Sequence, residues 1–178
     1  MVADLNLADD DFVLFGMPAQ FALDAPQLDA QWKALQGATH PDRFATEGAA
    51  AQRLAMQWAI RVNEAYRRLK DPLQRAAYLC TLHGIDVEAH SNTAMPPAFL
   101  MQQMEWRESL EEASGLEAVE SLADDVTAAR RRMLDDIARR IDESRPVDWP
   151  AVAQAVRALM FVERFGQDID RRLDALGA

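Results

Sequence analysis

The chain has 178 residues and 49% apolar content, enough for one large domain or two small ones with a real core. The net charge is −10; residues 1–83 hold ten acids and eight bases, residues 84–178 nineteen and eleven, so no basic face for nucleic acid is expected. The single cysteine, Cys80, excludes an internal disulfide and a thiolate metal cage.

The first eleven residues contain no base and four aspartates, Asp4, Asp9, Asp10 and Asp11, unlike a secretory signal or an Arg-rich transit peptide. No apolar run nears the roughly 20 residues of a membrane span. A cytoplasmic protein with no membrane partner is therefore predicted. Phe12 to Gly16 is a short apolar segment, stopped by Gly16 and Pro18, that reads as a turn or brief helix.

Asp24 fits an N-cap and Pro26 a first helical turn, opening a helix to Ala38 with Leu28, Trp32 and Leu35 on one face. A polar break follows, containing His40-Pro41-Asp42. Pro41 forbids a continuous helix and biases His40 toward extended backbone. Thr46 or Glu47 opens a longer helix with an inner stripe of Leu54, Trp58, Val62, Ala65, Tyr66 and Leu69, ended by Asp71-Pro72. A short connection makes the two helices antiparallel neighbours, with the tripeptide at the hairpin tip. There Asp42 fits a loop acid, a helix cap, or a carboxylate offered to another protein. A last short helix, Leu73 to His83, directs Leu73, Ala76, Ala77 and Cys80 inward and stops at Gly84. In that apolar pattern Cys80 reads as a buried, inert thiol.

Residues 84–95 read as a polar linker. His90 within it has no companion at ligand spacing, since neither His83 nor His40 offers one, so no metal and no cofactor are expected. Pro96-Pro97 then opens a helix to about Ser114, Leu116 to Glu143 form a second, and Trp149-Pro150 begin a third. The second carries Leu116, Val119, Leu122, Val126, Met133, Ile137 and Ile141. The third carries Trp149, Val152, Val156, Leu159, Val162, Ile169, Leu173 and Leu176, close to a heptad seam. Short connections predict an antiparallel three-helix bundle.

On the first bundle helix, about 100° per residue puts Phe99, Trp106, Leu110 and Ala113 on one face. Leu100, Met101 and Met104 fall on the other side with Glu105, Glu108 and Glu112, and Phe161 lies off the stripe of the third helix. An apolar patch rimmed by carboxylates suggests a binding surface, and methionine adapts well there. The alternative is that these residues widen the core or pack on the N-terminal part.

Two signatures carry a resemblance. His40-Pro41-Asp42 is followed by Asn63 to Pro72 (NEAYRRLKDP), with Arg75 and Tyr78 beyond. Together they resemble the J domain of DnaJ-type co-chaperones. A J domain followed by Ala98 to Leu110 (AFLMQQMEWRESL) and Val156 to Phe161 (VRALMF) resembles the HscB family, from about Asp11 to the end.

The resemblance implies an all-α chain: an N-terminal extension (1–10), a J domain (11–83), a linker (84–95) and a C-terminal three-helix scaffold-binding domain (96–178). It implies that His40, Pro41 and Asp42 engage an HscA-type heat-shock chaperone and stimulate its ATPase. Lys33 and Arg43 supply the only bases flanking the loop, where the family commonly has a basic helix face. It implies that Leu100, Met101, Met104, Glu105, Glu108, Glu112 and Phe161 bind the iron–sulfur scaffold IscU, with Met104 replacing a common leucine at similar volume. Eukaryotic members carry a cysteine-bearing N-terminal extension, so a bacterial-type member without zinc is expected.

The rival classes are an enzyme pairing His40 with Asp42, a helical adaptor with an incidental tripeptide, and a J-domain protein with another client. No nucleophile constellation or Gly-rich phosphate loop supports the enzyme.

Overall fold

The computed structural model describes residues 5–44, 46–87 and 95–177. His90 lies outside them. Among the described residues the fold is all-helical and divides into two compact units, residues 1–79 and 80–178.

In the first unit, Asp10 caps α1 (Asp11–Leu14) by accepting from the Val13 amide at 2.9 Å, and Phe12, Leu14 and Phe15 are buried. Asp24 caps α2 (Ala25–Thr39) by accepting from the Gln27 amide at 3.0 Å. α2 buries Leu28 and Leu35 against α3 (Ala49–Lys70), which contributes Ala55, Trp58, Val62, Ala65 and Leu69. Each such leucine taken fully out of water is worth about 1.5–3 kcal/mol. Trp32 stacks on Tyr66 at 4.6 Å and its Nε1 donates to Asn63 Oδ1 at 2.9 Å, fixing the register of the hairpin.

α3 starts at Ala49 and not at Thr46 or Glu47. The Glu47 amide is spent closing the preceding turn on the Phe44 carbonyl, and Gly48 follows at φ 91°, where a side chain would be strained. α4 (Pro72–Leu82) buries Ala76, Leu79 and Cys80, whereas the expected Leu73 and Ala77 are only half-buried. Arg75 is also buried, lying over the Phe21 ring at 4.9 Å and donating to the Leu69 carbonyl at 2.5 Å. Burial pushes the Cys80 thiol up to about 11.

In the second unit α5 (Pro97–Glu112), α6 (Leu116–Asp142) and α7 (Trp149–Leu176) form the bundle. α6 and α7 pack along each other through Val119, Leu122, Val126, Ile137 and Ile141 on one side and Val152, Val156, Leu159, Val162 and Ile169 on the other. Arg130 pairs with Glu163 at 2.6 Å, each at a similar distance from the connecting turn, which marks the antiparallel register. Leu116 and Leu176, expected in the stripes, are instead exposed. They are the first residue of α6 and the last of α7, at the same open end of the pair, where the partner helix runs out. Phe165, absent from the expected stripe, is buried and stacks on Trp106 of α5 at 5.8 Å.

Candidate functional site

The N-terminal candidate is built by the end of α2. Thr39 is buried and its Oγ1 donates back to the Leu35 carbonyl at 2.8 Å, closing the last turn. His40 leaves the helix at φ −61°, ψ 127°, the extended geometry that a following proline imposes. Pro41 to Phe44 then form a 3₁₀ turn, a regular element where the sequence predicts only a loop. Proline suits its first position because the missing amide would be unpaired there anyway.

This turn turns Asp42 outward. Its side chain is 90% exposed and that of His40 is 54% exposed. The Asp42 amide donates to His40 Nδ1 at 3.3 Å, and the Asp42 carboxylate lies 3.5 Å from the same nitrogen. A neutral ring accepts from the amide; a protonated ring donates to the carboxylate. Either way the loop is braced locally. Arg43 is turned back, donating Nη1 to the Gly37 carbonyl at 3.1 Å and satisfying an otherwise open end of α2. Lys33 is exposed on α2. Behind the loop, Thr39, Phe44, Leu54 and Trp58 line a small apolar cavity of about 50 Å³.

The hairpin carrying this tip is tied near its base. Lys70 Nζ at 2.5 Å and the Tyr66 hydroxyl at 2.9 Å both donate to Asp29 Oδ1. The bond from Lys70, then that from Tyr66, holds the Asp29 carboxyl below its ordinary range, and the same bond raises Lys70. An exposed carboxylate on a braced turn is an acceptor for a guanidinium of another protein, with two oxygens available.

A feature with no sequence signal lies on the same unit. Asp11 is fully buried, its Oδ1 2.7 Å from Arg61 Nη1 and its Oδ2 2.8 Å from Arg68 Nη1. Arg61 also donates to the Leu7 and Asp9 carbonyls, at 3.2 and 2.7 Å, so the segment before α1 is fastened to α3.

The C-terminal candidate lies on α5 and α7. Trp106 faces inward, with Phe99 and Leu110 half-buried beside it. The opposite side shows Leu100 47%, Met101 62% and Met104 62% exposed. Phe161 is 36% exposed and meets the edge of Phe99 at 6.5 Å, which props it at the surface. Glu105, Glu108 and Glu112 are all exposed along the patch, and Gln102 donates to the Glu105 carboxylate at 3.3 Å. The apolar side chains that periodicity set off the stripe thus stand outside the core. Such a patch has the chemistry of a docking surface: methionine fits varied shapes and the carboxylates give it a polar edge.

Among the described residues no group of three or more His, Cys, Asp or Glu is arranged to hold a metal, and no helix is long and apolar enough to cross a membrane.

The family model described as the HSCB C-terminal oligomerisation domain matches residues 95–170. The co-chaperone protein HscB homolog of Burkholderia multivorans is 48% identical over 175 residues, covering 97% of this chain and 98% of the relative. The structure of chaperone HscB from Vibrio cholerae superposes with a TM-score of 0.81 at 38% identity, covering 94% of this chain and 99% of that one. Human co-chaperone protein HscB, at 24% identity, shares the fold with a TM-score of 0.87 over 94% of this chain and 84% of its own. The architecture, a J domain followed by a helical C-terminal domain, agrees with these likenesses. The chain belongs to the HscB family of co-chaperones.

Proposed function

We propose that this co-chaperone couples two proteins in iron–sulfur cluster transfer: an HscA-type chaperone ATPase and an IscU-type scaffold. His40, Pro41 and Asp42 engage the chaperone, the Asp42 carboxylate receiving a partner arginine. Lys33 adds a positive charge on α2, and Arg43 steadies the loop through Gly37. The scaffold docks on Leu100, Met101, Met104 and Phe161, with Glu105, Glu108 and Glu112 reading positive charge around them. The J domain occupies residues 11–83, a linker 84–95 and the scaffold-binding domain 96–178, in the cytoplasm. The protein itself performs no catalysis; it brings a folded client to an ATPase that it triggers.

The observation that carries this reading is the exposure of Met101 and Met104, the greatest among the large apolar side chains of the described residues. Apolar anchors of this kind often dominate an interface. The test is calorimetric titration of the IscU-type scaffold into the full chain and into Leu100→Ala/Met101→Ala/Phe161→Ala. The triple variant is expected to lose roughly a hundredfold in affinity. Unchanged affinity would refute the scaffold assignment.

A further inference from the structure

α5 and α7 leave a cleft of about 320 Å³ beside the apolar patch. Gln103 and Arg107 line it from α5, and Phe161, Arg164, Asp168 and Arg171 from α7. Phe161 belongs to both the patch and the cleft. Arg171 is paired with Asp168, one turn before it. Arg164 lies over the Phe161 ring at 5.6 Å and Arg107 lies across the cleft, and neither has a carboxylate partner among the described residues. Glu111, one turn beyond Arg107, is exposed and makes no ion pair with it. Residues 84–178 hold nineteen acids against eleven bases, so two unneutralised guanidinium groups facing one cleft are unexpected there.

The helical projection orders the surface of α5. At about 100° per residue, Gln103 and Arg107 lie on the α7 side of Leu100. Glu111 and Met104 follow on the other side, then Glu108, Met101, Glu112 and Glu105. The cleft side of the patch therefore carries Arg107 and the far side Glu108, Glu112 and Glu105, with Glu111 between Leu100 and Met104.

The geometry points to the cleft as a carboxylate subsite of the scaffold-docking surface: an acidic side chain of the docked protein enters beside Phe161 and is held by Arg107 and Arg164. The inference rests on the scaffold reading above. Guanidinium forks match a carboxylate in two bonds, and the Phe161 ring covers that of Arg164 on one side. With Arg171 offset by Asp168, the cleft has two positive charges to spare, suited to one or two carboxylates. Opposite charges on the two flanks also fix the direction of docking, because a reversed partner would set like charges together.

The experiment measures scaffold affinity of four full-length chains by calorimetry: wild type, Arg107→Gln/Arg164→Gln, Leu100→Ala/Met101→Ala, and Arg53→Gln/Arg131→Gln. The last makes the same change in net charge at exposed sites outside the cleft. The cleft variant is expected to bind roughly tenfold more weakly than the Arg53/Arg131 control at low salt, a gap that narrows toward physiological ionic strength, with unchanged thermal unfolding. Loss of affinity in Leu100→Ala/Met101→Ala, with the cleft variant equal to the control, overturns the subsite and leaves the scaffold reading standing. Absence of wild-type binding, or no loss in Leu100→Ala/Met101→Ala, overturns both. Saturable binding of inorganic phosphate that is lost in the cleft variant while scaffold affinity is unchanged makes the cleft a small-anion site and also overturns the proposal.

Discussion

Replacing Asp11 with asparagine keeps the shape of the side chain and removes one buried charge. The carboxylate is fully buried between Arg61 and Arg68, at 2.7 and 2.8 Å. At an effective dielectric near 20, each contact is a Coulomb attraction of about 6 kcal/mol, much of it offset by the desolvation of the ions. Removing one member of a buried ion pair typically costs about 3–5 kcal/mol. Here Arg61 is 20% and Arg68 36% exposed, so water relieves part of the orphaned charge and about 2–4 kcal/mol is expected. For a unit of this size that lowers its melting temperature by roughly 8–32 °C. The assay is thermal and urea unfolding of Asp11→Asn beside Asp10→Asn, which removes an equal charge one residue away but retains an acceptor for the α1 cap. Asp10→Asn is expected to change stability by less than about 0.5 kcal/mol. Equal stability of the two variants would refute the buried anchor.

In the bundle, Trp106→Ala is expected to cost about 3–5 kcal/mol by chemical denaturation and Met101→Ala less than about 1 kcal/mol. Equal costs would mean that the two faces of α5 are wrongly assigned. With its thiol pushed up to about 11, Cys80 holds roughly one thiolate in ten thousand at pH 7. It is expected to resist Ellman's reagent in the native state and to react once unfolded; prompt native labelling contradicts its burial. Asp29 has a lowered folded pKa, so its contribution is present above its unfolded value of 3.8 and lost as pH falls through the folded one. Lys70 has a raised folded pKa, so its contribution is present below 10.5 and lost as pH rises through the folded value. Lys70→Met is therefore expected to flatten both limbs of the stability–pH curve, and a curve merely displaced downward contradicts the pairing.

The features legible in the sequence are those set by local rules. Pro41 dictates the backbone of its neighbour and breaks the helix, so the position of His40 and the exit of Asp42 from the hairpin follow from three letters. The outward patch is legible because a helix repeats about every 3.6 residues, which separates Met101 and Met104 from Trp106 without any tertiary knowledge. What was not legible depends on distant partners. Asp11 is one of three consecutive aspartates, and only its proximity to Arg61 and Arg68 tells it apart from Asp9 and Asp10. Arg75 enters the sequence only as part of the J-domain signature, and nothing there shows that it is buried over Phe21. Leu116 and Leu176 fit their stripes and are exposed because the bundle ends there. Phe165 fills the interval between Val162 and Ile169 and was missed because its partner, Trp106, is on another helix. The cleft arginines carry no pattern of their own; their meaning comes from the acids that do not reach them.

The central claim is that one chain carries two separately usable surfaces, one for the ATPase and one for the client. Steady-state ATP turnover by the HscA-type chaperone, with and without the IscU-type scaffold, tests it most directly when Asp42→Asn is compared with wild type. Asp42→Asn is expected to leave turnover at the rate of the chaperone without its co-chaperone while scaffold affinity stays at the wild-type value. Stimulation by Asp42→Asn equal to that of wild type would contradict the account.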